Sequence, residues 1–260
     1  MLFYRDIICR EIAYKAYQGK KKLAYFAYPD QAGPMPGIVF LHHHPGWTEI
    51  NIDATRKLAH NGFMTICPNL FQAWGGKSRD TSEIGKRARK DGGVHDDQTI
   101  GDIEGAIEHL TGIHQHNGKI GVMGFCSGGR FSFMAAGRIP DKIDAAVDCW
   151  GGRVITHGKP SINPKLDLNW AIEPITYAPN IQCPIMGIFG NRDKDPGPEQ
   201  VDETEEILKS LGKTYEFHRY DADHSFMDYY RERYQPKEAV DAWDKIISFF
   251  NRYLKDEVTT

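Results

Sequence analysis

The sequence predicts an α/β fold with a mainly parallel central sheet flanked by helices on both faces. Short, continuous apolar runs recur along the chain, and such runs are typical of strands that are buried on both faces. Between them, apolar residues recur at helical spacing, and strands that alternate with helices form parallel sheets. With 260 residues and 40% hydrophobic content, we expect one soluble globular domain over residues 1–260.

The chain begins with a predicted antiparallel hairpin. Residues 1–28 alternate apolar and polar side chains around a turn at Gly19-Lys20, which is the two-residue period of strands. Apolar strands follow at 37–41 and 63–67, separated by a helix over 53–61 that ends near Gly62.

The second half continues the alternation up to a closing amphipathic helix. A helix is indicated by Ile100, Ile103, Ala106, Ile107 and Leu110 at helical spacing. The later predicted elements are a strand before Cys126, a helix to Arg138, strands over 143–149, 184–190 and 213–220, and helices over 198–211 and 236–253. Residues 151–180 are predicted to be an irregular connection.

Residues 72–97 form a polar, glycine-rich and charged stretch. A stretch of this length inside a compact domain is usually functional. We therefore predict a lid or an active-site loop, or else short helices that the apolar pattern does not reveal.

Composition and charge exclude several classes of function. The net charge of −3 gives no footprint for nucleic acid or for an anionic membrane surface. No apolar run approaches the ~20 residues that span a bilayer, and the N-terminus does not have the pattern of a signal peptide. The five cysteines are scattered and odd in number. They argue against a disulfide framework and a structural zinc site, and they favour the reducing cytoplasm.

The run from Lys119 to Arg130 contains a short strand, the pattern Gly-x-Cys-x-Gly and the start of a helix. This is the nucleophile elbow of α/β-hydrolases, with Cys126 where serine usually stands. A helix that begins at Ser127 directs free N–H groups and its positive end at the sulfur, which favours the thiolate. An inert buried cysteine is the alternative for Cys126 considered alone.

A base and an acid follow Cys126 in the chain order that α/β-hydrolases use. Asp193 comes just after the strand over 184–190, and His224 comes after the last strand and before the closing helix. Asp195 is the competitor for the acid role, although aspartates in loops are commonly turn formers. We favour Asp193, and the order makes His224 a candidate base rather than an ordinary surface histidine.

The loop after the early central strand reads His42-His43-His44-Pro45-Gly46-Trp47. We assign the oxyanion hole to the backbone N–H groups of Ser127 and His44, because this loop normally supplies the second donor. Successive residues of an extended chain point to opposite sides, so the three histidines do not readily share a metal ion. We instead expect His43 and Trp47 to line the substrate pocket.

The chain resembles the dienelactone hydrolase family, the cysteine branch of the α/β-hydrolases, over nearly its whole length. The resemblance rests on Ile38-Val39-Phe40-Leu41 with Gly46, Cys67-Pro68-Asn69-Leu70-Phe71, Gly124-Phe125-Cys126-Ser127-Gly128-Gly129, Gly190-Asn191-Arg192-Asp193 and Ala222-Asp223-His224-Ser225-Phe226. It implies the triad Cys126, Asp193 and His224, and hydrolysis of a small ester or lactone without metal or organic cofactor.

The chain departs from the family pattern at two positions. Where dienelactone hydrolases have a glutamate that helps to activate the thiol, this chain has His43, so activation uses either a direct Cys126–His224 pair or His43. The arginine of the family that binds the substrate carboxylate is also missing, because Asp228 stands near its place. The candidates to replace it are Arg231, Arg233, Arg79, Arg87 and Arg89, and a solvated charge is the alternative for each.

Three functions are consistent with these motifs. The first is a cysteine hydrolase that acts on a lactone or a small carboxylic ester. The second is a non-catalytic protein of the same fold that binds a small ligand. The third is a redox protein in which Cys126 is oxidised; the sequence shows no evident resolving cysteine, and this function requires Cys149 to lie close in space.

Overall fold

The computed structural model describes residues 6–75, 81–161 and 163–255, and a single eight-stranded sheet forms their centre. The strands are β1 (Ile7–Lys15), β2 (Lys21–Pro29), β3 (Met35–Leu41), β4 (Met64–Pro68), β5 (His116–Phe125), β6 (Ala145–Cys149), β7 (Ile185–Gly190) and β8 (Tyr215–Tyr220). Their order across the sheet is β1-β2-β4-β3-β5-β6-β7-β8.

The helices fill the connections between the strands. They are α1 (Glu49–His60), α2 (Gln72–Gly75), α3 (Thr81–Lys90), α4 (Asp96–Thr111), α5 (Ser127–Arg138), α6 (Pro164–Asn169), α7 (Pro198–Ser210) and α8 (Pro236–Leu254). Short 3-10 turns cover Tyr17–Gly19, Pro140–Lys142 and Pro174–Asn180. Within the described part of the chain, no helix is both long enough and apolar enough to cross a membrane.

The sheet is parallel from β4 to β8, and only its first edge is antiparallel. The predicted hairpin is confirmed, since β1 and β2 pair antiparallel from Ile7 opposite Pro29 to Lys15 opposite Lys21. The second strand then pairs antiparallel with β4, and all later neighbours are parallel. Every residue of β3 and β4 is buried, as expected of strands covered on both faces.

Two apolar cores lie on opposite faces of the sheet, which confirms the predicted layering. One core contains the apolar faces of α4 and α5, with Ile103 and Phe131 among its buried residues. The other contains those of α1 and α8, with Leu58 and Phe249. Both faces of the sheet are thus covered by helices, and the connecting loops lie at the ends of the strands.

The structure differs from the predicted boundaries where polar residues obscure the pattern. Helix α1 begins at Glu49 rather than at Asp53, because Ile50 and Ile52 are buried in the first turn. Residues 72–97 hold α2, α3 and the start of α4. The apolar stripe of α3 is only Ile84 and Ala88, which is too narrow to be recognised among charged neighbours. The irregular stretch 151–180 includes the short helix α6.

Candidate active site

Cys126 lies in a sharp bend between β5 and α5. Its backbone has φ 55° and ψ −118°, a conformation that costs a non-glycine residue on the order of 1–3 kcal/mol. A Cβ on Gly124 would lie 2.5 Å from the carbonyl carbon of Gly128, and one on Gly128 would lie 2.1 Å from the carbonyl oxygen of Leu41. The close approach therefore requires both glycines. The Cys126 N–H donates to the Cys149 carbonyl at 2.9 Å, which ties the bend to β6.

His224 and Asp193 meet at the same end of the sheet as Cys126. Asp193 follows β7 and is buried, and His224 follows β8. The Nδ1 N–H of His224 donates to Oδ2 of Asp193 at 2.6 Å. The Cys126 thiol lies close enough to the ring of His224 to contribute to its pKa. The three residues that the sequence nominates therefore lie together, with Asp193 bonded to His224 and His224 next to Cys126.

The imidazole of His224 carries a proton at neutral pH. Burial alone would lower its pKa, but the hydrogen bond to Asp193 and the nearby Cys126, together with the charges of both residues, raise the pKa to about 10. This ring is therefore an imidazolium over the whole physiological range.

Asp195 lies close to Asp193 but supports the adjacent backbone. The Asp195 N–H donates to Oδ1 of Asp193 at 3.0 Å, and the Asp195 carboxylate accepts the backbone N–H of Arg153. A Cβ on Gly152 would lie 2.9 Å from Oδ1 of Asp195. Asp195 thus holds the loop after β6, whereas Asp193 holds His224.

His42 is a structural member of the histidine tract. The backbone N–H of Leu70 donates to its Nε2 at 3.0 Å, so Nδ1 carries the proton and donates to the His43 carbonyl at 2.8 Å. Burial, above all, lowers the pKa of His42 to about 4. Its neutral ring packs edge-on against Phe71, with centroids 4.8 Å apart.

His43 and His44 line the cavity in front of Cys126, as predicted for His43. The Nε2 of His43 lies 2.9 Å from Oγ1 of Thr48, and burial together with nearby positive groups lowers its pKa to about 3. Burial, followed by the charge of Arg89, lowers the pKa of His44 to about 4. Both rings are therefore neutral where His224 is charged.

The two backbone amides assigned to an oxyanion hole belong to residues that line the same cavity as Cys126. Ser127 is the first residue of α5, and His44 follows the end of β3. Neither N–H group donates a hydrogen bond to another residue of the described ranges. Both N–H groups therefore have no acceptor among the described residues.

The cavity has a volume of about 1170 Å³, and its lining holds more basic than acidic side chains. Of the arginines nominated from the sequence, Arg231, Arg233 and Arg89 contribute to it, whereas Arg79 lies outside the described residues. Acidic lining residues are fewer than the basic ones, and they include Asp193 itself. The basic lining residues are Lys86, Arg89, Lys90, Arg153, Lys194, Arg231 and Arg233.

Two of the predicted pocket residues do not line this cavity. Trp47 is only 5% exposed and packs in the core beneath α1. The chain reverses at Gly46, whose φ is 106°, so the side chain after the turn leaves the cavity. Arg87 is exposed on α3, but the lining residues Lys86, Arg89 and Lys90 occupy another face of that helix, as i, i+3 and i+4 positions do.

Several lining residues were not predicted because they come from the stretch taken as irregular. Leu166 and Trp170 line the cavity together with Arg153. The spacing of Leu166 and Trp170, four residues apart, is the helical signal that would have revealed α6. Arg153 has a φ of 59°, which no sequence pattern here indicates.

All five cysteines are free, and their environments differ. Cys126 is partly exposed in the cavity, whereas Cys149 is completely buried. Burial and the neighbouring Asp148 raise the pKa of the Cys149 thiol well above its ordinary value. A buried, protonated thiol is a poor partner for disulfide exchange, which disfavours the redox hypothesis.

The chain is similar to named proteins along most of its length. A sequence profile of the dienelactone hydrolase family matches residues 23–254. A protein of Escherichia coli K12 named "Putative carboxymethylenebutenolidase" is 30% identical over 247 residues, covering 91% of this chain and 84% of the relative. A Methylorubrum extorquens protein of the same name is 28% identical over 232 residues, covering 88% and 76%.

A solved structure supports the same relationship. The crystal structure titled "Putative Dienelactone Hydrolase" from Klebsiella pneumoniae superposes with a TM-score of 0.81 at 28% identity, covering 95% of this chain and 100% of that chain. The shared architecture is the α/β-hydrolase fold that the elbow and the parallel sheet predict. The chain belongs to the dienelactone hydrolase family of hydrolases.

Proposed function

We propose that this protein hydrolyses a carboxylic ester or a lactone through a thioester intermediate on Cys126. The observation that carries the proposal is the hydrogen bond from His224 to Asp193, with the thiol of Cys126 beside His224 in the strained bend. A nucleophile, a base within reach and a group that orients the base are the parts that nucleophilic catalysis requires.

The first half of the reaction transfers the acyl group to sulfur. The Cys126 thiolate attacks the carbonyl carbon, and the electron pair of the C=O bond moves to oxygen, where the Ser127 and His44 N–H groups stabilise it. The attack forms the C–S bond. The tetrahedral intermediate then collapses, which restores the carbonyl and breaks the C–O bond. The leaving alkoxide takes the proton of the His224 imidazolium, and in a lactone the alcohol remains part of the acyl group.

The second half releases the acid. Neutral His224, oriented by Asp193, takes a proton from water as the water oxygen attacks the thioester carbonyl. The C–S bond breaks, and the thiolate is restored beside the imidazolium. No metal or organic cofactor enters these steps.

We further propose that the thiol is activated by His224 directly. His43 stands where dienelactone hydrolases have a glutamate, but its Nε2 is engaged with Thr48 and its pKa is lowered to about 3. A neutral ring cannot act as a carboxylate would. His224, by contrast, carries the charge that stabilises a thiolate.

The substrate we propose is larger than a simple small lactone. A cavity of about 1170 Å³ exceeds the 300–1,000 Å³ typical of ligand pockets, so a bulky ester is accommodated. The five free thiols suit a reducing compartment, and we propose the cytoplasm.

Burst kinetics with an activated nitrophenyl ester test this function. We expect a burst of nitrophenol equal to the concentration of active sites, followed by slower turnover, and a covalent adduct at Cys126 in the mass spectrum. Cys126→Ala should lose the burst and the turnover, whereas Cys183→Ala, at a buried thiol away from the cavity, should keep both.

Absence of a burst and of turnover across a panel of esters and lactones would reject the hydrolase proposal. Saturable binding of an ester without its cleavage would then favour the non-catalytic function. Oxidation of Cys126 by peroxide with formation of a Cys126–Cys149 disulfide would favour the redox function.

A further inference from the structure

Arg130 is a charged residue that the proposed mechanism does not use, although it lies in the first turn after the nucleophile. Its backbone N–H donates to the carbonyl of Cys126 at 3.1 Å. Its side chain is only 1% exposed. A buried guanidinium is costly unless its donors are satisfied, so the partners it binds indicate its role.

The guanidinium contacts two separate parts of the chain, namely Asp96 at the start of α4 and the segment that contains Trp170 and Ile172. Nη1 and Nη2 donate to the two carboxylate oxygens of Asp96 at 2.6 and 2.9 Å, which is the strong bidentate geometry. Nη2 also donates to the carbonyl of Ile172 at 3.3 Å. The face of the guanidinium lies 4.3 Å from the ring centroid of Trp170, within cation–π range.

Trp170 belongs to a segment, residues 163–172, that forms one wall of the cavity. Leu166 and Trp170 line the cavity in that segment. The ring of Trp170 also meets Phe131 of α5 edge-on, with centroids 5.4 Å apart. The wall therefore rests on the helix that begins at the nucleophile, and Arg130 is the polar part of that contact.

Side-chain hydrogen bonds join the 163–172 segment to the chain that precedes α4. The Nδ2 of Asn169 donates to the carbonyls of Asp91, Gly92 and Gly93 at 3.3, 3.0 and 3.1 Å. The indole N–H of Trp170 donates to the carbonyl of Val94 at 3.0 Å. Helix α4 begins at Asp96, two residues after Val94. Arg130 therefore contacts both the start of α4 and the 163–172 segment.

We propose that Arg130 is a positioning residue that sets the distance between Cys126 and the cavity wall formed by Leu166 and Trp170. The inference rests on the proposed acyl transfer for its consequence, which is selectivity for the size of the acyl group. Loss of the Arg130 contacts allows Leu166 and Trp170 to move away from Cys126. The hydrolysis of esters with larger acyl groups then becomes faster relative to that of esters with small ones.

The test uses the double variant Arg130→Met with Asp96→Asn, which removes both charges of the buried pair and leaves neither unpaired. The first readout is the ratio of kcat/KM for nitrophenyl hexanoate to that for nitrophenyl acetate, with active sites titrated by the burst. We expect this ratio to rise about tenfold, the scale on which a hydrophobic pocket discriminates by size.

A second readout does not require hydrolysis. The rate of Cys126 alkylation by N-phenyliodoacetamide, divided by the rate with iodoacetamide, should rise about tenfold in the same variant, as measured by mass spectrometry of the Cys126 peptide. Trp170→Leu, at a partly exposed side chain, should produce the same rise. When it is combined with the Arg130–Asp96 variant, the further change should stay within about twofold, because the two act through one wall.

The matched control is Arg138→Met with Asp97→Asn. Arg138 donates to Asp97 at 2.8 Å across the same two helices and stacks on Tyr177 at 5.6 Å, but neither charged residue lines the cavity. Both ratios should be unchanged in this control. Unchanged ratios in the Arg130–Asp96 variant, with only a lower melting temperature, would overturn the proposal. A shifted alkylation ratio in a protein that cleaves no ester would reject the hydrolase function and support the positioning role of Arg130.

Discussion

His224 is the residue whose charge determines the state of the site. Its neighbours in the cavity, His43 and His44, have pKa values lowered to about 3 and 4, whereas its own pKa is raised to about 10. The difference arises from partners, because burial acts on all three rings in the same direction and only His224 faces a carboxylate and a thiol. One imidazole is thus charged among neutral ones.

Asp193 and Asp195 form a matched pair for testing the acid role. Asp193→Asn removes the charge that orients His224 and helps it to keep its proton, so we expect kcat to fall by about 10⁴, the cost of the corresponding change in a Ser-His-Asp triad. Asp195→Asn should cost less than about tenfold, because the Asp195 carboxylate interacts with Arg153, whereas the hydrogen bond to His224 comes from Asp193. Equal losses measured with one nitrophenyl ester would contradict the assignment of Asp193.

The raised pKa of His224 predicts an alkaline limit to activity. A group with a raised pKa keeps its proton until the pH passes the folded-state value, so the imidazolium that protonates the leaving group is lost only near pH 10. We expect kcat/KM for an alkyl ester to decline there. In Asp193→Asn the decline should move to lower pH. A decline at pH 6–7 in the wild-type protein would contradict this reading of His224.

At the scale of elements, the site depends on the close crossing of β5, β3 and α5 behind the nucleophile. The sequence predicts this crossing, since the elbow glycines and the order of Cys126, Asp193 and His224 are local patterns on successive strand ends. The sequence does not predict the cavity wall formed by Leu166 and Trp170. Asn169 reaches the Asp91–Gly93 carbonyls across more than 70 positions of the chain, and contacts between a side chain and a distant backbone leave no periodic signal.

The substitution Gly128→Ala tests whether the site depends on the close approach of α5 to β3. The added Cβ would lie 2.1 Å from the Leu41 carbonyl oxygen and 2.7 Å from its carbon, and backbone atoms of a buried strand cannot yield cheaply. We expect the free energy of unfolding in urea to fall by about 1–3 kcal/mol, as for overpacked cores, together with lost burst amplitude. Gly197→Ala, where the nearest atom is 3.7 Å away, should change stability by less than about 1 kcal/mol. Equal effects would argue against steric control at the elbow.

For the molecule as a whole, the sign of the cavity charge is opposite to that of the chain. The chain has a net charge of −3, but seven basic side chains and four acidic ones are among the described residues that line the cavity. An excess of one sign of charge in a cleft attracts ligands of the other sign. The fold class was predictable from the pattern of strands and helices, whereas this charge separation depends on which side of each surface helix faces inward.

The rate of hydrolysis at several ionic strengths tests the effect of the cavity charge. We expect kcat/KM for an ester that carries a carboxylate away from the scissile bond to fall as salt rises from 0.01 to 0.5 M, while kcat/KM for a neutral ester of similar size stays constant. Arg89→Glu should weaken the salt dependence. Arg87→Glu, on another face of α3, should preserve it and thereby control for net charge. The same slope for both esters would remove the basis for an anionic preference.

The junction between residues 89–94 and the 163–172 segment has a consequence for altering this protein. Both parts lie beyond the carboxyl ends of the strands, and they are joined to each other by side-chain bonds to carbonyl oxygens, while neither contributes a strand to the sheet. We therefore expect the two segments to tolerate replacement together, but not one at a time. Grafting both segments together from a relative, with Arg130 and Asp96 retained as the attachment point, is the economical route to a new substrate range in which the reactive centre stays untouched.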